Sequence, residues 1–176
     1  MGFIDNIKER ARKSIKTIVL PESEDIRTLK GAEIVIREKF AKIILLGNEE
    51  EIKKLASENN VSLDGIEIIN PVKSEKLDQY IHELYELRKN KGMTLENAEE
   101  ILKTNSRYFA TMMVKLGDAD GYVSGASHPT ADTLKPALQI IKGAPEVRTV
   151  SAFFIMCLKD KEFGENGVFI YADSGM

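Results

Sequence analysis

The sequence has only one cysteine, Cys157, so no disulfide can close within the chain, and a reducing cytoplasm is the expected compartment. It has no marked excess of either charge. Its 25 Lys+Arg stand against 28 Asp+Glu, a formal net charge of −3, whereas a dedicated nucleic-acid binder carries a basic surplus. No stretch approaches the ~20 apolar residues of a membrane-crossing helix. The N-terminus, MGFIDNIKERARKSIK, is charged throughout and lacks the apolar core of a signal peptide. Asn6 stands where a myristoylation site needs Ser or Thr. Repeats, low-complexity tracts and Pro/Gly-rich linkers are also absent. What is present is ordinary for a globular protein: 43% hydrophobic and 30% charged residues, too apolar for disorder. The 176 residues fit one domain, which would bury roughly 70% of its unfolded surface.

Short apolar bursts alternate with helical periodicity. The bursts are Thr17–Leu20, Ile43–Leu46, Ile66–Ile69 and Gly121–Val123. Between the first two, Ile26, Leu29, Ala32, Ile36 and Phe40 recur at spacings of three and four, behind the acids Glu22, Glu24 and Asp25 of an expected first turn. Further helices are expected at about 3–13 and 48–58, from Ser74 to near Gly92, behind Thr94, from Asn105 to Gly117, and to about Lys142. The Tyr108, Phe109, Met112, Met113 stripe reads as core packing. Runs at 147–158 and 168–172 suit a hairpin around the polar segment 159–167. The fold class that follows is an open, largely parallel, doubly wound α/β sheet with helices on both faces, plus a C-terminal β-hairpin-like segment. No helix follows the last strand to cover it, so either the chain continues or a partner supplies the cover.

Candidate chemistry concentrates in Ser124-Gly125-Ala126-Ser127-His128-Pro129-Thr130-Ala131-Asp132-Thr133-Leu134-Lys135-Pro136, between a strand and a helix. Small residues admit a ligand close to the backbone, and the helix start offers unpaired N–H groups for phosphate. Ser127, Thr130 and Thr133 add hydroxyls, Lys135 adds charge to the first turn, and Pro136 fits that start. The competing reading is an ordinary strand-to-helix connection with Thr130 or Asp132 as N-cap. Neither a Walker A nor a G-x-G-x-x-G pattern is present. Arg88, four residues after Leu84, continues an inward face and so needs a partner or a ligand, unless it merely complements its helix end. His82 reads as a surface residue and Cys157 as a buried, inert thiol. A metal at His128 has no supporting Asp/Glu/Cys cluster. A Ser-His-Asp triad has no nucleophile elbow.

Four segments together resemble phosphate acetyltransferase (phosphotransacetylase): Leu20–Leu29 (LPESEDIRTL), Tyr85–Thr94 (YELRKNKGMT), Asp120–Ile141 (DGYVSGASHPTADTLKPALQII) and Ala172–Met176 (ADSGM). The resemblance covers the N-terminal half of that family's chain. It implies a two-domain α/β subunit with the active-site cleft between domains, here divided as 1–145 and the start of a second domain at 146–176. It also implies a cytoplasmic enzyme that is a homodimer when complete. Acetyl phosphate, phosphate and coenzyme A are its small-molecule substrates, with no tightly bound cofactor, no metal, no nucleic acid and no membrane. By the same resemblance Arg88 matches an arginine linked to coenzyme A. Lys135 stands where many members have a second arginine, keeping the charge but not the bidentate fork. Ser124, Gly125, Ser127, His128, Thr130 and Thr133 fall in the substrate-cleft loop. The family's catalytic Ser-Arg pair and general-base aspartate have no counterpart in these residues, so the chain alone is expected not to transfer acetyl. A phosphate butyryltransferase and a non-catalytic acyl-CoA-binding domain are the alternatives.

Overall fold

A computed structural model describes residues 2–146 and 150–172. They fall into two compact units, Ile15–Lys142 and Met1–Ser14 with Gly143–Met176. The first unit carries four parallel strands, β1 (Lys16–Leu20), β2 (Ala41–Leu46), β3 (Glu67–Ile69) and β4 (Gly121–Tyr122), in the spatial order β3-β2-β1-β4. Val19 lies opposite Ile44 on one side and Tyr122 on the other. β4 is only two residues long, and Asp120 anchors its start by accepting the Thr17 amide at 2.9 Å and pairing with Lys16 Nζ at 2.8 Å.

Strand β2 explains why the sheet has two covered faces. Ile43, Ile44, Leu45 and Leu46 are all buried, and successive side chains point to opposite sides. Ile43 and Leu45 join Leu29 and Ala32 of α2 (Ile26–Glu38) and Ile52 and Ala56 of α3 (Glu49–Glu58). Ile44 and Leu46 join residues of α4 (Leu77–Arg88), α5 (Leu95–Thr104) and α6 (Ser106–Leu116). Each buried aliphatic side chain of this kind contributes about 2 kcal/mol. The α6 stripe is core as expected: Tyr108, Phe109, Met112 and Met113 are buried, and Phe109 packs its ring 5.0 Å from that of Tyr80 at 58°. Asp25, Asn48, Thr94 and Asn105 cap α2, α3, α5 and α6 with their side chains.

Three local expectations are corrected. α2 begins at Ile26 with Asp25 as its N-cap, so Glu22 is not in a helical turn at all. α7 (Thr130–Pro136) is capped by Pro129, not by Thr130 or Asp132, and Pro136 sits at its end rather than its start. Pro136 has no N–H for the Asp132 carbonyl, and beyond it a π-turn runs over Ala137–Ile141; the Ala137 amide bonds the Leu134 carbonyl, and the Thr133 carbonyl accepts the Tyr122 hydroxyl at 2.9 Å.

The second unit contributes α1 (Phe3–Lys13), which has no buried residue, and the antiparallel hairpin of β5 (Phe153–Cys157) and β6 (Val168–Ala172). All five residues of β5 are exposed, including Cys157, which corrects its reading as a buried thiol. A two-stranded ribbon has no second layer among the described residues to bury either face. The expected strand residues 147–149 and the Asp173–Met176 end of the ADSGM segment lie outside the described residues.

Candidate functional site

The strand order reverses direction at β1. The chain passes from β1 outward to β2 and β3, then returns to place β4 on the other side. In an open α/β sheet the crevice outside the carboxyl ends at such a reversal is where ligands bind. Two segments meet there: Pro21–Asp25, leaving β1, and Ser124–His128, leaving β4.

Glu22 joins them. Its side chain is 2% exposed, yet it is ionised and surrounded by donors. One carboxylate oxygen accepts the amides of Gly125 at 2.6 Å and Ala126 at 2.8 Å. The other accepts the Ser127 amide at 3.2 Å and lies 2.7 Å from His128 Nδ1. Three successive N–H groups pointing at one anion form a backbone nest. Gly125 makes the nest possible by taking φ +109°, a conformation in which a side chain would be strained. Burial pushes the Glu22 carboxyl up, but the amide of Ala126, the His128 ring and the amides of Gly125 and Ser127 together hold it at about 2. The loop is clamped from the other side by Arg27, whose guanidinium donates to the Ala126 carbonyl and pairs with Asp25.

The loop thus holds an anion of the chain's own, on the amides of 125–127 rather than at the start of α7, where phosphate is expected. The amides of Gly125, Ala126 and Ser127 are engaged by Glu22. Ser124 and Thr133 are brought together, with the Thr133 hydroxyl 3.4 Å from Ser124 Oγ. Ser127 is exposed and donates to Glu24 at 3.0 Å. Thr130 and Lys135 are exposed at the first and penultimate positions of α7. Ser127 Oγ and Glu22 both approach Nδ1 of His128, at 3.1 and 2.7 Å. A triad would need them on opposite ring nitrogens, so this arrangement does not activate a serine.

Arg88 lies elsewhere. It ends α4 and lines a cavity of about 350 Å³ with Lys91, Gly92, Met93, Asn97 and Thr104. Its Nε is buried without a hydrogen-bond partner among the described residues, as is that of Arg107, an 8% exposed residue that the sequence reading passed over. A buried guanidinium nitrogen left unpaired is costly, and an anionic ligand would satisfy it. Burial raises the Tyr108 phenol and the Arg88 charge opposes this, while the Tyr108 hydroxyl donates to Gln139, in the π-turn after α7, at 2.8 Å. Gln139 follows Lys135 by four residues. Among the described residues no group of three or more His, Cys, Asp or Glu is arranged to hold a metal ion, and no helix is long and apolar enough to cross a membrane.

Residues 2–176 match the family described as phosphate acetyl/butaryl transferase. The chain belongs to that family. The phosphate acetyltransferase of Acetivibrio thermocellus is 51% identical over 176 residues, covering all of this chain and 52% of that protein. That of Thermoanaerobacterium thermosaccharolyticum is 55% identical over 173 residues, covering 98% and 52%. Among solved structures, a phosphotransacetylase from Streptococcus pyogenes superposes with a TM-score of 0.85 at 35% identity, covering 95% of this chain and 49% of that one. The EutD phosphotransacetylase from Staphylococcus aureus gives 0.81 at 39%, covering 95% and 48%. The chain spans about half the length of these relatives.

Within this phosphate acetyltransferase-like frame, Glu22 and Arg27 are the site residues that sequence reasoning missed. The available signal was an excess of acid. Helix α2 needs one N-cap, and Asp25 supplies it, which leaves Glu22 and Glu24 without a helical role in the segment leaving β1.

Proposed function

We propose that this chain forms one half of a phosphate acetyltransferase and bears one wall of the cleft for acyl phosphate and coenzyme A. The observation that carries the reading is the folded 124–133 loop at the sheet's reversal point, with the cationic Lys135 on the helix that follows it. Identity above 50% to phosphate acetyltransferases along the whole chain supports the same assignment.

In the reaction, the coenzyme A sulfur loses its proton and attacks the acetyl carbon, the S–C bond forms, the C–O bond to phosphate breaks, and phosphate leaves with the electron pair. This chain's part is to bind and orient two anionic substrates. Arg88 suits the coenzyme A phosphates, its buried Nε needing an acceptor. Ser124, Ser127, His128, Thr130 and Thr133 suit the acyl phosphate, and Lys135 adds an exposed charge. Proton removal and oxyanion stabilisation, the larger catalytic contributions, fall to the Ser-Arg pair and aspartate that the resemblance assigns to the family's other half. The 176 residues alone do not transfer acetyl. Residues 1–145 form the N-terminal domain, and 146–176 open a second α/β domain whose further strands would cover the exposed hairpin. The complete protein is a cytoplasmic homodimer that needs no tightly bound cofactor.

The test is loss of free thiol when acetyl phosphate is added to coenzyme A and the full-length protein, with butyryl phosphate in parallel. Acetyl preference is expected. No thiol loss from folded protein overturns the enzyme reading, and butyryl preference moves it to phosphate butyryltransferase.

A further inference from the structure

The two oxygens of Glu22 have unequal tasks. Oε2 faces two backbone amides, Gly125 and Ala126, at 2.6 and 2.8 Å. Oε1 faces the Ser127 amide at 3.2 Å, the Ser127 hydroxyl at 3.3 Å and His128 Nδ1 at 2.7 Å. An ionised carboxylate only accepts, so the Nδ1 contact requires a proton on Nδ1. The Ser127 hydroxyl, 3.1 Å from the same nitrogen, directs its own proton to a carboxylate, with Glu24 at 3.0 Å, and so presents an oxygen lone pair to Nδ1. Both neighbours of Nδ1 are therefore acceptors. Nε2 has no hydrogen-bond partner among the described residues, and the His128 side chain is 34% exposed.

We propose that Glu22 is a positioning residue that fixes His128 as its Nδ1–H tautomer and locks the ring plane, so that the imidazole meets substrate through Nε2 alone. The role rests on the reading of the 124–133 loop as part of the acyl phosphate wall, but the tautomer does not. The second ring nitrogen is set by what the first one binds, and here a buried carboxylate makes that choice. Neutral His128 then offers Nε2 as an acceptor, and protonated His128 offers it as a donor to a phosphoryl oxygen. The same carboxylate engages the amides of Gly125, Ala126 and Ser127, which leaves His128 Nε2 to act beside the Ser124, Thr130 and Thr133 hydroxyls.

The chain has two histidines, so His82→Gln leaves a single imidazole for long-range ¹H–¹⁵N correlation above the ring's titration. The expected pattern is a protonated, pyrrole-type Nδ1 and a pyridine-type Nε2. In Glu22→Gln, the amide oxygen keeps the rigid Gly125 and Ala126 amides, and the NH₂ group falls opposite Nδ1. An acceptor becomes a donor, so the tautomer reverses to Nε2–H. Ser127→Ala retains the wild-type pattern. A wild-type Nε2–H tautomer overturns the proposal whether or not the variants fold, and so does an unchanged pattern in folded Glu22→Gln. In the full-length protein, Glu22→Gln is expected to raise KM for acetyl phosphate several-fold with little change in KM for coenzyme A. An unchanged KM for acetyl phosphate in an active enzyme overturns the positioning role. Absence of acetyl transfer in the wild type overturns only the functional reading.

Discussion

Replacing Glu22 by Gln should cost the fold about as much as its carboxylate gains from the loop, and only where that carboxylate is ionised. The group is lowered from 4.5 to about 2. At ~1.4 kcal/mol per tenfold change in proton affinity, this is about 3 kcal/mol of stability at neutral pH. The bonding pattern agrees: Gly125 and Ala126 would exchange a charged acceptor for a neutral one, and the Ser127 amide would lose its acceptor at ~1–3 kcal/mol, less whatever water recovers. The sign follows from the lowered value. The folded state holds its proton less tightly than the unfolded chain, so the contribution is complete above about pH 4.5 and is lost as the pH falls to about 2. At about pH 3 roughly three-fifths of it should be gone. Urea unfolding of wild type and Glu22→Gln, followed by far-UV circular dichroism at neutral pH and near pH 3, measures the gap at each. Asp25, Asp118 and Asp120 are also lowered by their partners, but they are common to both proteins and cancel in the comparison. A gap below about 1 kcal/mol at neutral pH, or one that does not shrink on acidification, would refute the reasoning.

Tyr80→Phe removes a buried hydroxyl that donates to Asp118 at 2.6 Å and should lower stability by about 1–2 kcal/mol. Lys76 remains on Asp118 at 2.9 Å, so thermal melting should show a smaller loss than Asp118→Ala. In Gly47→Ala the new Cβ would lie 2.6 Å from Ser23 Oγ at φ +153°. It would break the Ser23–Leu46 carbonyl bond and cost ~2 kcal/mol in chemical denaturation. Arg107→Met, which removes an unpartnered buried guanidinium nitrogen, should be neutral or stabilising by up to about 1 kcal/mol in the same assay. Arg88→Ala in the full-length enzyme should raise KM for coenzyme A about tenfold, the loss of one charge-assisted contact, and an unchanged value would return Arg88 to a helix-end role.

The elements were legible because their causes are local. Four apolar bursts became the four parallel strands, and the side-chain caps at Thr94 and Asn105 sit where the sequence places them. The loop at 124–133 was legible for the same reason: small residues between a strand and a helix have few other uses. Pro136 was misplaced because its position within a helix depends on where the helix starts, and Pro129 moved that start. Cys157 was misread because an apolar strand predicts burial only when another layer packs against it, and the hairpin has none among the described residues.

By itself, then, the sequence determined the periodicities, the order of strands and helices and the family, and it singled out the 124–133 loop. It did so because hydrophobic spacing and capping act over a few residues. Only the tertiary structure decided what that loop holds. Glu22 stands about a hundred residues before the amides it binds, and no local rule connects them. The parallel pairing of β1 with β4 does, by bringing two carboxyl-end segments side by side. There a buried carboxylate and a row of backbone donors each lack a partner until they find one another.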